Sequence, residues 1–440
     1  MQDKQAYLDA IQLVLDEAKA QGASACECAM GVEAGLSASV RLGEVETLEY
    51  HQDKGLGITV YLGQSKGSAS TSDLSADSIK QTVSAACGIA KYTAADECAG
   101  LPEKDRLAWD YPDLDLYHAW DVQAEQALEL AKECEDHARA FDKRISNSEG
   151  ATTSSHRGNH FYANSHGFIG HYPSSRHSVV CSVIAQDEQG MQRDYWYTAS
   201  RNPKELESMR QIGETAAKRA VARLNARQLP TGQWPVLFTP DTAIGLVGHF
   251  IRGIRGGSLY RKTSFLLDSL GEQIFPDWIH MDEQPHIKAA LGSAPFDSEG
   301  VATQSRDLVK AGVVQAYVLD TYSARRLNME TTGNAGGVHN LTLESSGHSY
   351  EDLLSQMGTG LIVTDLMGQG VNNVTGTYSR GAAGFWLENG EIQFPVHEIT
   401  IASNLKEMFK GIIAVGNDMD HRRNIRTGSI LVDKMTIAGE

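Results

Sequence analysis

The sequence predicts an α+β fold, with an N-terminal antiparallel α/β unit and a C-terminal, mostly β, glycine-rich domain. Three observations predict it. Short alternating apolar runs between residues 26 and 62 lie between two helical patterns. Of the 42 glycines, 26 follow residue 230. The chain has 440 residues, enough for two or three domains.

The first domain is predicted over residues 1–100. Residues 5–21 carry Leu8, Ile11, Leu15 and Ala18 at helical spacing. Alternating runs follow at Cys26–Val32, Leu36–Leu42, Val45–Tyr50 and Leu56–Leu62, the pattern of a meander. Residues 75–91 return to helical spacing, with Ile79, Val83 and Ala86. The middle segment is predicted over 101–229. Its start is rich in Pro, Asp and aromatics and reads as an extended crossing. Asp121 is suited to cap a helix running to about Phe141. Residues 145–200 read as strands, with a hairpin turn at Asp187-Glu188-Gln189-Gly190. Asn202-Pro203, with Glu205, predicts a long helix over 203–228. Leu229-Pro230-Thr231-Gly232 marks the boundary to a β-rich domain over 230–440. Strand-like runs there are Pro235–Phe238, Leu308–Leu319, Gly360–Asp365, Gly384–Leu387 and Glu391–Val396. Helices are expected at Asp241–Gly253, capped by Asp241, and at Ser403–Gly411.

Composition excludes several classes. A net charge of -17 argues against sequence-independent nucleic-acid binding, which rests on phosphate neutralisation by Lys and Arg. No run approaches the roughly 20 apolar residues of a membrane helix. The start, Met1-Gln2-Asp3-Lys4, is polar and unlike a secretory signal. A cytoplasmic location is expected. Six cysteines occur with no CxxC pair, and none follows residue 181. Cys26 and Cys28 alternate along a strand and so share one buried face.

Most candidate motifs are weak. His156, His160, His166, His171 and His177 fall within 22 residues, but their spacing is not that of a metal site. Polar positions on strands and loops explain them. There is no GxSxG elbow and no Walker loop. Gly333-Asn334-Ala335-Gly336-Gly337 lacks the strand-then-helix frame of a phosphate cradle, and Asp297-Ser298-Glu299-Gly300 lacks the oxygen ligands of a calcium loop.

The informative segment is Asp241-Thr242-Ala243-Ile244-Gly245-Leu246-Val247-Gly248-His249-Phe250. After it come Tyr260-Arg261-Lys262-Thr263-Ser264, Leu270-Gly271-Glu272-Gln273, Phe296 through Gly300 with Thr303, Ala324-Arg325, Thr332-Gly333-Asn334 and Leu387-Glu388-Asn389-Gly390. In this order these segments resemble the TldD/TldE (PmbA/TldA) metallopeptidase family, on its TldE/PmbA side, along nearly the whole chain. In the zinc-binding members the helix carries an HExxxH motif, with a cysteine near the C-terminus as third ligand. The matching positions here are Ile244, Gly245 and His249, and the stretch Ala414-Val415-Gly416-Asn417 has no cysteine.

Catalytic zinc needs about three protein ligands and a base for the bound water. His249 alone supplies one ligand, and a hydrogen-bonded helix or interface histidine is its expected role. The resemblance therefore implies no catalytic, cofactor-binding or metal-binding residue in this chain. It implies a subunit of a cytoplasmic peptidase acting on unfolded or modified peptides. The zinc would sit in a TldD-type paralogous partner, and an extended peptide would be the substrate. Strand edges of the glycine-rich half are suited to such a peptide. A homodimer of the isolated chain is also expected to be feasible. Two other readings stay open at this point: a hydrolase using the 156–177 histidines, and a regulatory binding protein without proteolytic function.

Overall fold

A computed structural model describes residues 4–439; the polar Met1-Gln2-Asp3 start lies outside them. The N-terminal half comprises α1 (Lys4–Ala20), β1 (Ala25–Arg41), β2 (Glu44–Leu62), β3 (Ser65–Thr71), α2 (Ala76–Tyr92), α3 (Ala124–Phe141), β4 (Ile145–Asn164), β5 (Ile169–Gln186), β6 (Met191–Ser200) and α4 (Met209–Ala222). Its strands form one antiparallel sheet in the order β3-β2-β1-β4-β5-β6. The expected four short strands at the start are two long ones. Each carries its glycines in mid-strand, and β1 is hydrogen-bonded on both sides, by β2 and β4, which keeps it extended. The hairpin turns at Leu42 and Gly43, both with positive φ (53° and 84°). The buried Glu135 carboxylate on α3 accepts both of their backbone N–H groups.

Alternation decides which face is covered. Cys26, Cys28 and Met30 of β1 pack with Ile58 and Val60 of β2 under Ile11, Val14, Ile79 and Val83 of α1 and α2. Val179, Cys181 and Val183 of β5 pack under Ala131, Cys134, Ile212 and Ala216 of α3 and α4. Gly213 lets α4 approach the α3 backbone, where an added Cβ would collide with the Cys134 carbonyl. All four helices thus cover one face, and the opposite face turns toward the second half of the chain.

That half comprises β7 (Gly232–Phe238), α5 (Pro240–Ile254), α6 (Gly256–Tyr260), β8 (Met281–Glu283), β9 (Arg306–Lys310), β10 (Val313–Val314), α7 (Thr321–Arg326), β11 (Leu341–Leu343), α8 (Tyr350–Met357), β12 (Gly360–Met367), β13 (Thr377–Glu388), β14 (Glu391–Asn404), α9 (Leu405–Lys410), β15 (Ile412–Val415), β16 (Ile425–Arg426) and β17 (Ile430–Ala438). One sheet has the order β14-β13-β12-β7-β17-β15, and β14 also pairs with β17, closing a ring. The second sheet is β10-β9-β8-β11-β16. Inside the ring and beneath α5 lie Val236, Phe238, Leu246, Phe250 and Ile401, part of one continuous core.

Several local expectations change. The helix expected over 203–228 is a short 3-10 turn at Pro203–Glu205 followed by α4. Leu206 is extended, Glu207 is tied by its N–H to Thr198 and by its carboxylate to Trp196, and Ser208 provides a fresh cap. Asn225, with φ 62°, follows the end of the helix. Gln123, not Asp121, caps α3. Thr239 occupies the cap position of α5, leaving Asp241 in its first turn for ion pairing. Asn404 caps α9 one residue inside the expected start. The run Leu308–Leu319 holds parts of β9 and β10 separated by a turn. Among the described residues the terminal strands in the glycine-rich half are the short β10, β15 and β16. Among the described residues long free edges belong to β2, whose residues 44–55 lie beyond the β3 pairing, and to the terminal strand β6 of the same sheet. No helix among the described residues is long and apolar enough to cross a membrane.

Candidate functional site

Helix α5 leaves the ring directly after β7. Pro240 stands at its first position, and the Thr239 and Thr242 hydroxyls both donate to the Val363 carbonyl of β12, at 3.1 Å each. Ala243, Leu246, Val247 and Phe250 are buried against the core, which turns Ile244, Gly245 and His249 to the other side. Ile244 and Gly245 line a cleft of about 300 Å³ between α5, β6, α4, β12 and β13. His249 lies one turn further on. Its ring meets Tyr378 edge-on at 5.9 Å. Among the described residues no hydrogen bond to it is found. Burial, with Arg252 and Arg380 nearby, pushes its imidazole down to about 4, so it is neutral at neutral pH.

The cleft contains five arginines (193, 219, 223, 380 and 423) against three aspartates (194, 241 and 365). The aspartates are already engaged. Buried Asp194 accepts from Arg219 at 3.1 Å and Arg223 at 3.3 Å. Asp241 pairs with Arg219 at 3.2 Å, and Asp365 with Arg223 at 3.2 Å. A Cβ added at Gly245 would meet nothing within 4 Å. At the other end of the motif, a side chain at Gly416 would run into the Asp418 carboxylate, which binds the Ser429 backbone N–H at 2.8 Å and hydroxyl at 2.7 Å. These residues do not fit a catalytic zinc. The donor set is one imidazole, and the surrounding guanidinium groups repel a dication.

The histidine-rich segment is not gathered into a site. His156 and His160 project from the helix-free face of β4, whereas His177 lies on the helix-covered face of β5, because β-strand side chains alternate. His156 meets His51 at 3.3 Å above Gly35, His160 bonds the Ser174 hydroxyl at 3.0 Å, and His171 bonds the Asn159 side chain at 3.1 Å. His177 bonds Ser155 and the His118 carbonyl, and His166 sits in the turn between β4 and β5. Burial lowers the imidazoles of His156, His160 and His177, and His171 to about 4. Among the described residues no group of three or more His, Cys, Asp or Glu is positioned to hold a metal ion.

A larger groove of about 680 Å³ opens between the halves. One wall is the helix-free face of the N-terminal sheet, with His160, Tyr172 and Arg176. The other is built from residues 291–298, 335–339 and 422–424. Arg423 belongs to both the groove and the α5 cleft. Asp297 on the groove wall accepts three backbone N–H bonds, and burial raises its carboxyl to about 6. Sequence reasoning missed this groove because isolated arginines and loop glycines carry no pattern.

Comparison with known proteins settles the family. The sequence matches the PmbA/TldA metallopeptidase domain 1 over residues 27–90, its central domain over 117–224 and its C-terminal domain over 231–439. The chain belongs to the PmbA/TldA metallopeptidase family. Among its relatives, the metalloprotease PmbA homolog of Haemophilus influenzae is 52% identical, covering 99% of this chain and 97% of the relative. Metalloprotease PmbA of Escherichia coli O157:H7 is 50% identical, over 97% of this chain and 94% of the relative. A solved structure from Bacteroides thetaiotaomicron, described as a putative modulator of DNA gyrase, superposes with a TM-score of 0.94 at 26% identity, covering 99% of this chain and 100% of that one. TldE from Thermococcus kodakarensis shares the fold, with a TM-score of 0.86 at 21% identity, covering 99% of this chain and 100% of that one. A TldD homolog of Buchnera aphidicola is 21% identical over 84% of this chain and 80% of the relative, so the family holds both paralogues.

Proposed function

We propose that the chain is the noncatalytic, TldE/PmbA-type subunit of a cytoplasmic TldD/TldE metallopeptidase that cuts unfolded or modified peptides. The observation that supports this most directly is the α5 cleft. Ile244 and Gly245 stand where the family's first histidine and glutamate would be, among five arginines. A TldD-type paralogue holds the zinc and carries the hydrolysis. This chain contributes the groove of about 680 Å³ between its two halves, as the place for an extended peptide, and the wall that positions it.

The test is co-purification with a TldD-type chain, followed by elemental analysis for zinc and cleavage of a flexible peptide. Zinc and cleavage are expected in the pair and absent from the chain by itself. Stoichiometric zinc in the isolated chain, or cleavage by it, overturns the proposal.

A further inference from the structure

The groove between the halves carries two arginines, Arg176 and Arg201, with no carboxylate partner among the described residues. Arg201 is 8% exposed, and its guanidinium is held by three backbone carbonyls: Ala290 at 3.0 Å, Leu291 at 3.1 Å and Ser175 at 3.2 Å. Arg176 reaches the same groove from β5. Among the described residues neither has an ion-pair partner. Both line the groove. Burial drives the Arg201 guanidinium down to about 10, a fall that Tyr172 partly offsets and Arg176 adds to.

The other charged groups of the groove differ. Arg422 bonds the Asp420 carboxylate at 2.9 Å. Arg423 donates to the Tyr197 hydroxyl at 2.9 Å, with Asp241 and Asp420 nearby. Asp297, the groove's own carboxylate, is filled by backbone donors. A buried charge is normally paired, yet buried Arg201 has three carbonyl partners and no anion, and exposed Arg176 lines the same groove. The groove walls add the Tyr172 ring and the backbone of Gly336 and Gly337, which have positive φ (109° and 128°) and leave the wall free of side chains.

We propose that Arg176 and Arg201 form a carboxylate-binding subsite that anchors the C-terminal or acidic side-chain carboxylate of a peptide in the groove. Guanidinium groups suit this chemistry because they donate in a planar fork to carboxylate oxygens. In a chain of net charge -17, such a subsite selects acidic or free-acid peptides at one point while the remaining surface repels them. The inference rests on the peptide-binding reading above and names the substrate feature that the groove selects.

The test measures fluorescence anisotropy of a labelled flexible peptide on the full chain, alone and with its TldD-type partner stripped of zinc. Three peptide forms are compared: free acid, C-terminal amide, and amide with one internal glutamate. Either carboxylate form is expected to bind about 10-fold tighter than the neutral amide at low salt, the advantage shrinking as salt rises. Arg176→Gln is expected to remove the difference and Arg176→Lys to restore part of it. Arg176 is exposed, so these variants fold; Arg201 also ties the two halves together and is left intact. Equal affinity for all three forms overturns the subsite while leaving peptide binding standing. Failure of every form to bind overturns the peptide reading and this inference with it. Displacement by inorganic phosphate at far lower concentration than by acetate overturns the carboxylate assignment.

Discussion

The α5 cleft and the groove between the halves are both lined by arginines, share Arg423, and treat positive charge in opposite ways. In the cleft, Arg219 and Arg223 are pinned by Asp194, Asp241 and Asp365. In the groove, Arg201 is held by carbonyl dipoles and Arg176 by no partner among the described residues. The first arrangement ties these two arginines to carboxylates at the joint between α4, α5 and β6. The second is open and available to an anionic ligand.

The largest effect is expected from breaking the paired side. Asp194→Ala leaves Arg219 and Arg223 partly buried without their shared partner and should cost about 3–5 kcal/mol, read from the denaturant midpoint. A loss below about 1 kcal/mol would show that the cleft is not held by this network. Arg201→Ala strands three carbonyls at the junction of the halves and should cost about 2–3 kcal/mol in the same measurement. Arg176→Gln, on the exposed side of that comparison, should change stability by less than about 0.5 kcal/mol.

His249 gives a smaller, pH-dependent effect. Its folded-state pKa, about 4, is below the ordinary value near 6.5. The unfolded chain therefore binds this proton first as pH falls, and stability declines from about pH 6.5 down to pH 4. His249→Leu should flatten that part of the stability profile by about 1–2 kcal/mol, the residual exposure of the ring reducing the full effect. A slope unchanged by the substitution would show that the imidazole is not desolvated. Gly245→Ala should be a mild change and the one with the opposite sign. It fills open space in a helix interior and should stabilise by about 0.5–1 kcal/mol, seen as a higher Tm. Destabilisation there would mean that the backbone at Gly245 is closely approached in the assembled protein.

The sequence was most legible where a local pattern has one tertiary solution. Alternation at Cys26, Cys28 and Met30 marked a buried strand face, and the glycine excess after residue 230 marked the β-rich half. The ordered family segments located Ile244, Gly245 and His249. Helix ends were read less well. Pro203 opened only a 3-10 turn because Glu207 is held by Thr198 and Trp196, residues on a strand whose position no local pattern specifies. The helix α8 was missed although Ser349 and Asp352 form its capping box, a signal present in the sequence but short.

By itself, then, the sequence determined the α+β class, the family and which side chains stand at positions 244, 245 and 249, because side-chain chemistry at a named position needs no partner to be known. Tertiary structure decided what surrounds them. It closed the glycine-rich strands into a ring, turned the uncovered face of the N-terminal sheet toward the second half, and brought Arg176 and Arg201 to one groove. Charge compensation is a property of distance between residues far apart in the chain. Only the folded arrangement could show which arginines are paired and which remain open to a ligand.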